Sequence, residues 1–154
     1  MIRLCHPVIY AVLAGALTCL TGWLLALLIY LIVPEAIEGD DPWQGDPFIP
    51  WHVALLVLVL PLFENAVLVG VMKMLKNVIH SARWLCFCCA FIAATLHSMQ
   101  APAWFFPAFF SFAVLSASYL LWRRQGSIRA FFVIWLIHGA NNLFAITPYY
   151  LFET

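Results

Sequence analysis

Four polar side chains stand where a very apolar sequence has little use for them: Glu64, His97, His138 and Asn142. One carboxylate, two imidazoles and one amide suffice to activate a water molecule and polarise a peptide carbonyl. In such chemistry Glu64 is the general base, and its apolar surroundings disfavour the charged form of the carboxyl. A histidine and Asn142 would stabilise the oxyanion or protonate the leaving amine. The same set could hold zinc through two His and one Glu, with water in the fourth position. Residue types alone do not choose between the two schemes.

Each residue has its own reason for notice. Polar groups in a bilayer core cost several kcal/mol unless partnered. Glu64 is the only one of seven acidic residues that falls inside an apolar stretch. Pro61 precedes it by three residues, and a proline there removes a backbone hydrogen bond and kinks a helix. His138 lies near the middle of the last apolar stretch with Asn142 at i+4, which places both side chains on one helix face about 6 Å apart. Gly139 and Ala140 beside them are small enough to admit a second helix. His97 closes the third stretch, followed by Ser98 and Gln100. Structural roles stand beside the chemical ones: a protonated Glu bonded to a neighbouring helix, a His–Asn pair acting as interhelical glue, an interfacial His97. His6, His52 and His80 read as solvated or interfacial.

The elements that must position these residues are helices. Of 154 residues, 66% are hydrophobic and 9% charged, against about half and a quarter in soluble domains. A chain so apolar and so short cannot bury that surface in its own core, so lipid must cover much of it. Stretches able to span run over 8–33, 53–72, 84–98, 103–122 and 130–146, the third being short. The expected fold is therefore all-α, a polytopic transmembrane bundle of about five spans. Residues 1–50 would supply a signal-anchor span and an acidic extracytoplasmic loop, and 51–154 a four-helix membrane core carrying the site. That loop, 34–50, holds Glu35, Glu38, Asp40, Asp41 and Asp46 among prolines and glycines.

Arg3, Lys73, Lys76, Arg83, Arg123, Arg124 and Arg129 all fall on one side of a five-span chain, which the positive-inside rule assigns to the cytoplasm. The acidic loop and the C-terminus then lie outside. Trp51, Trp84, Trp104 and Trp122 sit at span ends, as an aromatic belt requires. Zero net charge argues against a nucleic-acid partner. The five cysteines contain no CxxC pair, and Cys86, Cys88 and Cys89 read as small packing residues.

The residues around these positions resemble a known family. Residues 61–70, Pro-Leu-Phe-Glu-Asn-Ala-Val-Leu-Val-Gly, are similar to the first motif of the CAAX-protease and bacteriocin-processing (CPBP) membrane family, roughly Pro-x-x-Glu-Glu-x-x-Phe-Arg-Gly. His97, after an apolar run, resembles the second motif. Gly126 and Ser127, opening a helix that ends in His138 and Asn142, closely resemble the last, a Gly-Ser turn before His-x-x-x-Asn. The resemblance covers about residues 51–146. Departures are Asn65 for the second Glu, Val69 for the Arg, Leu68 for a Phe, and Ala93 for the Phe four residues before the histidine. The Glu and Arg are lost together, and at i and i+4 they could have paired.

The resemblance implies an intramembrane endopeptidase in which Glu64 activates water, His97 and His138 assist, and Asn142 helps hold the oxyanion. Its substrate would be a peptide or protein with a membrane-proximal or C-terminal segment. Membrane lipid is its other partner. No cofactor is expected on the glutamate scheme, and zinc remains the alternative. The expected location is a bacterial inner membrane, with the N-terminus cytoplasmic. The rival reading is a non-catalytic CPBP-like scaffold or immunity-type protein. A small transporter or proton relay is a third, without a reason for the Gly-Ser and His-x-x-x-Asn arrangement.

Overall fold

A computed structural model describes residues 6–33 and 50–152, with side chains for 6–33 and 51–147. Arg3, Cys5 and the acidic loop lie outside the described residues. Helix α1 (Pro7–Ile32) is 26 residues long, about 39 Å at 1.5 Å per residue and enough to cross a 30 Å hydrocarbon core. Proline in its first turn suits a position whose N–H has no helical partner. Helix α2 (Trp51–Leu75) is continuous but changes pitch. A π-helical turn, Leu55–Val59, is inserted ahead of the α-helical part, Leu60–Leu75.

A turn leads to α3 (Ala82–Ser98), and a 3₁₀ turn (Pro102–Trp104) leads to α4 (Phe105–Trp122). A second 3₁₀ turn (Arg123–Gln125) and Gly126, at φ 127°, lead to α5 (Ser127–Phe152). That φ is one that only glycine adopts cheaply. The expected all-α bundle is what forms, with no strand among the described residues. Four of the helices are long and apolar enough to span. Helix α3, at 17 residues, covers only about 25 Å.

α5 is the central element and touches α1, α2 and α4. Its Ala130, Val133, Ile134 and Ile137 are buried against Phe112, Leu115, Tyr119 and Trp122 of α4. α3 and α4 form an antiparallel hairpin sewn by aromatic contacts, Phe87 to Phe109 and Phe91 to Phe105. α1 is part of the same bundle rather than a separate anchor: it packs along α5 and α4. Its contact face is small, with Ala11, Gly15, Thr18 and Cys19 buried. Its other face exposes Leu13, Leu17, Leu20, Leu24 and Leu31, side chains suited to lipid.

Lys73 and Lys76 end α2, Arg83 begins α3, and Arg123, Arg124 and Arg129 flank the α4–α5 turn. The hairpin geometry thus gathers the described basic residues at one end. The first turns of α1 join them there. The Tyr10 hydroxyl lies 2.9 Å from Ser118 Oγ, and its ring is 5.5 Å from that of Trp122. Trp51, Trp84 and Trp104 are exposed at helix ends, as expected for a belt. Trp122 is not: it is fully buried, because Tyr10 covers it and the Arg129 guanidinium sits 5.4 Å above its ring. The clustering of arginines hid a packing residue among the belt residues.

The closeness of α1 and α5 gives a direct test. A Cβ on Gly15 would stand 2.7 Å from Ala140 Cβ and 2.9 Å from the Ile137 carbonyl oxygen, whereas one on Gly70 would meet nothing within 4 Å. Gly15→Ala is expected to cost about 1–3 kcal/mol through overpacking. Gly70→Ala is expected to leave stability unchanged or slightly higher. Thermal unfolding in detergent measures both, and equal melting temperatures for the two variants would contradict the tight α1–α5 contact.

Candidate functional site

The site begins with a fault in the backbone of α2. In the π turn the Leu60 N–H bonds to the Leu55 carbonyl. Leu56 O thereby loses the donor that an α-helix would give it. Pro61 has no N–H to offer it instead. Leu56 O is left needing a partner from outside its helix, in a medium with no water to spare. The disturbance expected around Pro61 is thus a π turn that precedes it.

Helix α5 meets this stretch of α2 with one face. Asn142 Nδ2 donates to Leu56 O at 2.9 Å, and Trp135 Nε1 donates to Leu58 O at 2.8 Å. Between them Gly139 lets the backbones touch, since a Cβ there would stand 2.6 Å from Val57 O. Positions 135, 139 and 142 follow the i, i+4, i+7 spacing of a single helix face. They run antiparallel to carbonyls 58, 57 and 56.

That register brings His138 onto α2. Its Nε2 lies 3.2 Å from Glu64 Oε2, and its Nδ1 lies 3.2 Å from Asn65 Oδ1. The His138 side chain is 9% exposed and the Glu64 side chain 36%. The carboxyl is therefore the reachable member of the pair. Both residues sit near the middle of their spans, Trp51–Leu75 and Ser127–Thr147. With Asn65 Oδ1 accepting, Nδ1 carries the proton. The Nε2 edge and the carboxyl then share a single proton in the neutral state of the pair.

His97 stands beside this pair but is held differently. Its Nδ1–H donates to the Ala93 carbonyl of its own helix, at 2.9 Å. Its ring lies 5.2 Å from that of Phe112, and the His138 ring lies 5.7 Å from the same phenylalanine.

Of the four residues singled out by sequence, the structure joins Glu64 to His138 directly and packs His97 against Phe112, which His138 also touches. Asn142 goes elsewhere. One amide hydrogen is given to Leu56 O, and its Oδ1 accepts from Asn141 Nδ2 at 3.1 Å. Among the described residues, no three His, Cys, Asp or Glu side chains are grouped to hold a metal ion. Cys19, Cys86, Cys88 and Cys89 are free thiols, and Cys89 is buried.

Sequence reasoning passed over Asn65 and Trp135. For Asn65 a signal existed. Pro61, Asn65, Leu68 and Met72 form one buried helical face, and an amide in that apolar row calls for a partner. For Trp135 there was none, because its partner is a main-chain carbonyl 77 residues away in the chain.

Comparison of the chain with protein-family models, with curated proteins and with solved structures finds no match. What fold and site define on their own is a class: a helical membrane protein with a buried imidazole paired to a partly accessible carboxyl between its spans.

Replacing Asn142 with leucine leaves Leu56 O without its donor while preserving side-chain bulk. Interhelical hydrogen bonds in membranes are worth about 0.6–1.7 kcal/mol, so Asn142→Leu is expected to lower stability by that amount. Denaturant titration in mixed micelles checks it, and a stability equal to that of the parent would show the capping bond to be idle.

Proposed function

We propose that the chain is an intramembrane endopeptidase, cutting a membrane-proximal or C-terminal peptide segment with a water activated by Glu64. The observation that carries this reading is the 3.2 Å contact between Glu64 and His138 near mid-span, with the carboxyl left partly accessible. The resemblance of residues 61–70, His97 and residues 126–142 to the CPBP motifs agrees with it.

In this scheme Glu64 takes a proton from water as the water oxygen bonds to the scissile carbonyl carbon. The carbon–nitrogen bond then breaks and the proton passes to the amine, leaving a carboxylic acid and an amine. His138 holds the carboxyl and exchanges its proton. His97, whose Nδ1–H is committed to Ala93 O, offers its Nε2 edge to the oxyanion or the leaving nitrogen. Asn142 plays the lesser part, having given one amide hydrogen to the π turn.

A second reading, the non-catalytic scaffold, gains from that same bond. An Asn that caps a carbonyl has a structural reason to exist, so fewer intramembrane polar groups are left for chemistry to explain. Glu64→Gln separates the two. The variant keeps size and one acceptor, and it is expected to fold, to reach normal levels in the membrane and to lose all detectable cleavage of a membrane-anchored peptide substrate. Cleavage at the parental rate by this variant would sink the endopeptidase reading.

The proposed setting is a bacterial inner membrane, with the N-terminus cytoplasmic and the C-terminus outside. The basic residues gathered at one end support that orientation. Substrates would then include anchors or tails of exported proteins. In a cysteine-free background, Ser98→Cys is expected to react with an impermeant thiol reagent in intact cells and Asn77→Cys is not. The reverse pattern would invert the protein and remove the argument for exported substrates.

A further inference from the structure

Asn65 is the fully buried polar residue of α2, set in an otherwise apolar row. A leucine would pack there without desolvating an amide, so the amide needs a use. One end has a partner: Oδ1 lies 3.2 Å from His138 Nδ1. The other end, Nδ2, is buried with no hydrogen-bond partner. Buried donors left in that state are rare and costly, and each calls for an explanation.

The explanation offered by the geometry is that the spare end belongs to a second proton state of the same contact. An amide carries an acceptor and a donor in nearly the same shape. With Oδ1 toward the ring, His138 holds its proton on Nδ1, and Nε2 accepts a proton from the Glu64 carboxyl. With the amide turned over, Nδ2 donates to Nδ1, and the Nε2–H donates to an ionised Glu64. No carboxylate or backbone carbonyl at this place could serve both, because neither can donate. The titratable group facing His138 from α2 is Glu64, and α4 presents the Phe112 ring, against which His97 of α3 also packs.

We propose that Asn65 is a positioning residue for the Glu64–His138 pair, its amide holding the Nδ1 edge of His138 in both proton states so that Nε2 stays aimed at the carboxyl. The proposal rests on the endopeptidase reading only for its catalytic consequence. A base that first takes and then returns a proton needs a histidine held in place in both states. The site residue lies beside Glu64 in the chain but acts through His138, not on the substrate.

The test uses full-length protein labelled with ¹⁵N-histidine in lipid nanodiscs, with the His138 ring signals assigned by their loss in His138→Gln. Asn65→Leu removes both ends of the amide, and the His138 nitrogens are expected to shift and broaden as the ring loses its fixed tautomer. Asn65→Asp keeps the acceptor alone, so across a pH series its His138 is expected to keep Nδ1 protonated where the parent moves that proton to Nε2. Should the leucine variant fail to fold, the aspartate variant decides by itself. On a peptide substrate, Asn65→Leu is expected to lower kcat about a hundredfold with KM little changed, as for a displaced catalytic group. Asn65→Asp is expected to recover part of that loss. Unaltered His138 signals in both variants would overturn the proposal, whatever the activity. If the ring responds as expected but the parent protein cleaves nothing, the endopeptidase reading fails and the positioning role stands.

Discussion

A main-chain carbonyl without a helical donor, in a medium that holds no water, dominates this structure. The π turn of α2 and the missing N–H of Pro61 together leave Leu56 O without a donor in its own helix. In a soluble protein, solvent would satisfy it at little cost. Between membrane spans the only sources are neighbouring helices, and α5 supplies an amide to Leu56 O and an indole to Leu58 O, while its bare glycine backbone packs on Val57 O. The register of α5 on α2 is therefore fixed by backbone need rather than by apolar packing, which tolerates sliding.

The chemistry follows from that register. In an antiparallel pair of helices, side chains on both lean toward their own N-termini. His138 leans toward the start of α5 and Glu64 toward the start of α2, so the two side chains lean toward each other. With Gly139 seated on Val57 O, His138 is carried to Glu64 and Asn65. A change of one residue in register would turn the imidazole by about 100° around α5. The capping contacts and the carboxyl–imidazole contact are thus one device: the first holds the second.

The rest of the bundle supports α5 from behind. α1 comes close through Gly15, and α4 fills the groove with Phe112, Leu115 and Trp122. Phe112 has a further part, because its ring packs against both imidazoles. The outward leucines of α1 face lipid, and the basic residues keep to one end, so insertion and packing make compatible demands on the sequence.

By itself, the sequence determined the helices, their approximate ends and the gathering of basic residues. These follow from the length of apolar runs and from the cost of charge in lipid, both local properties. It also pointed to Glu64 and His138, because an ionisable group inside a span is expensive wherever its partner lies. Only the tertiary structure decided who partners whom. Asn142 was legible as a polar residue one turn from His138, yet its bond is to a carbonyl 86 residues away. Asn65 read as a departure from a motif and is the residue against His138 Nδ1. Trp122 read as a belt residue and lies fully buried. For Asn142 and Trp122 the physical reason is of one kind. Hydrogen-bond demand from a π turn, and cover from a helix distant in the chain, leave no mark on residue type or spacing and exist only once the helices are in register.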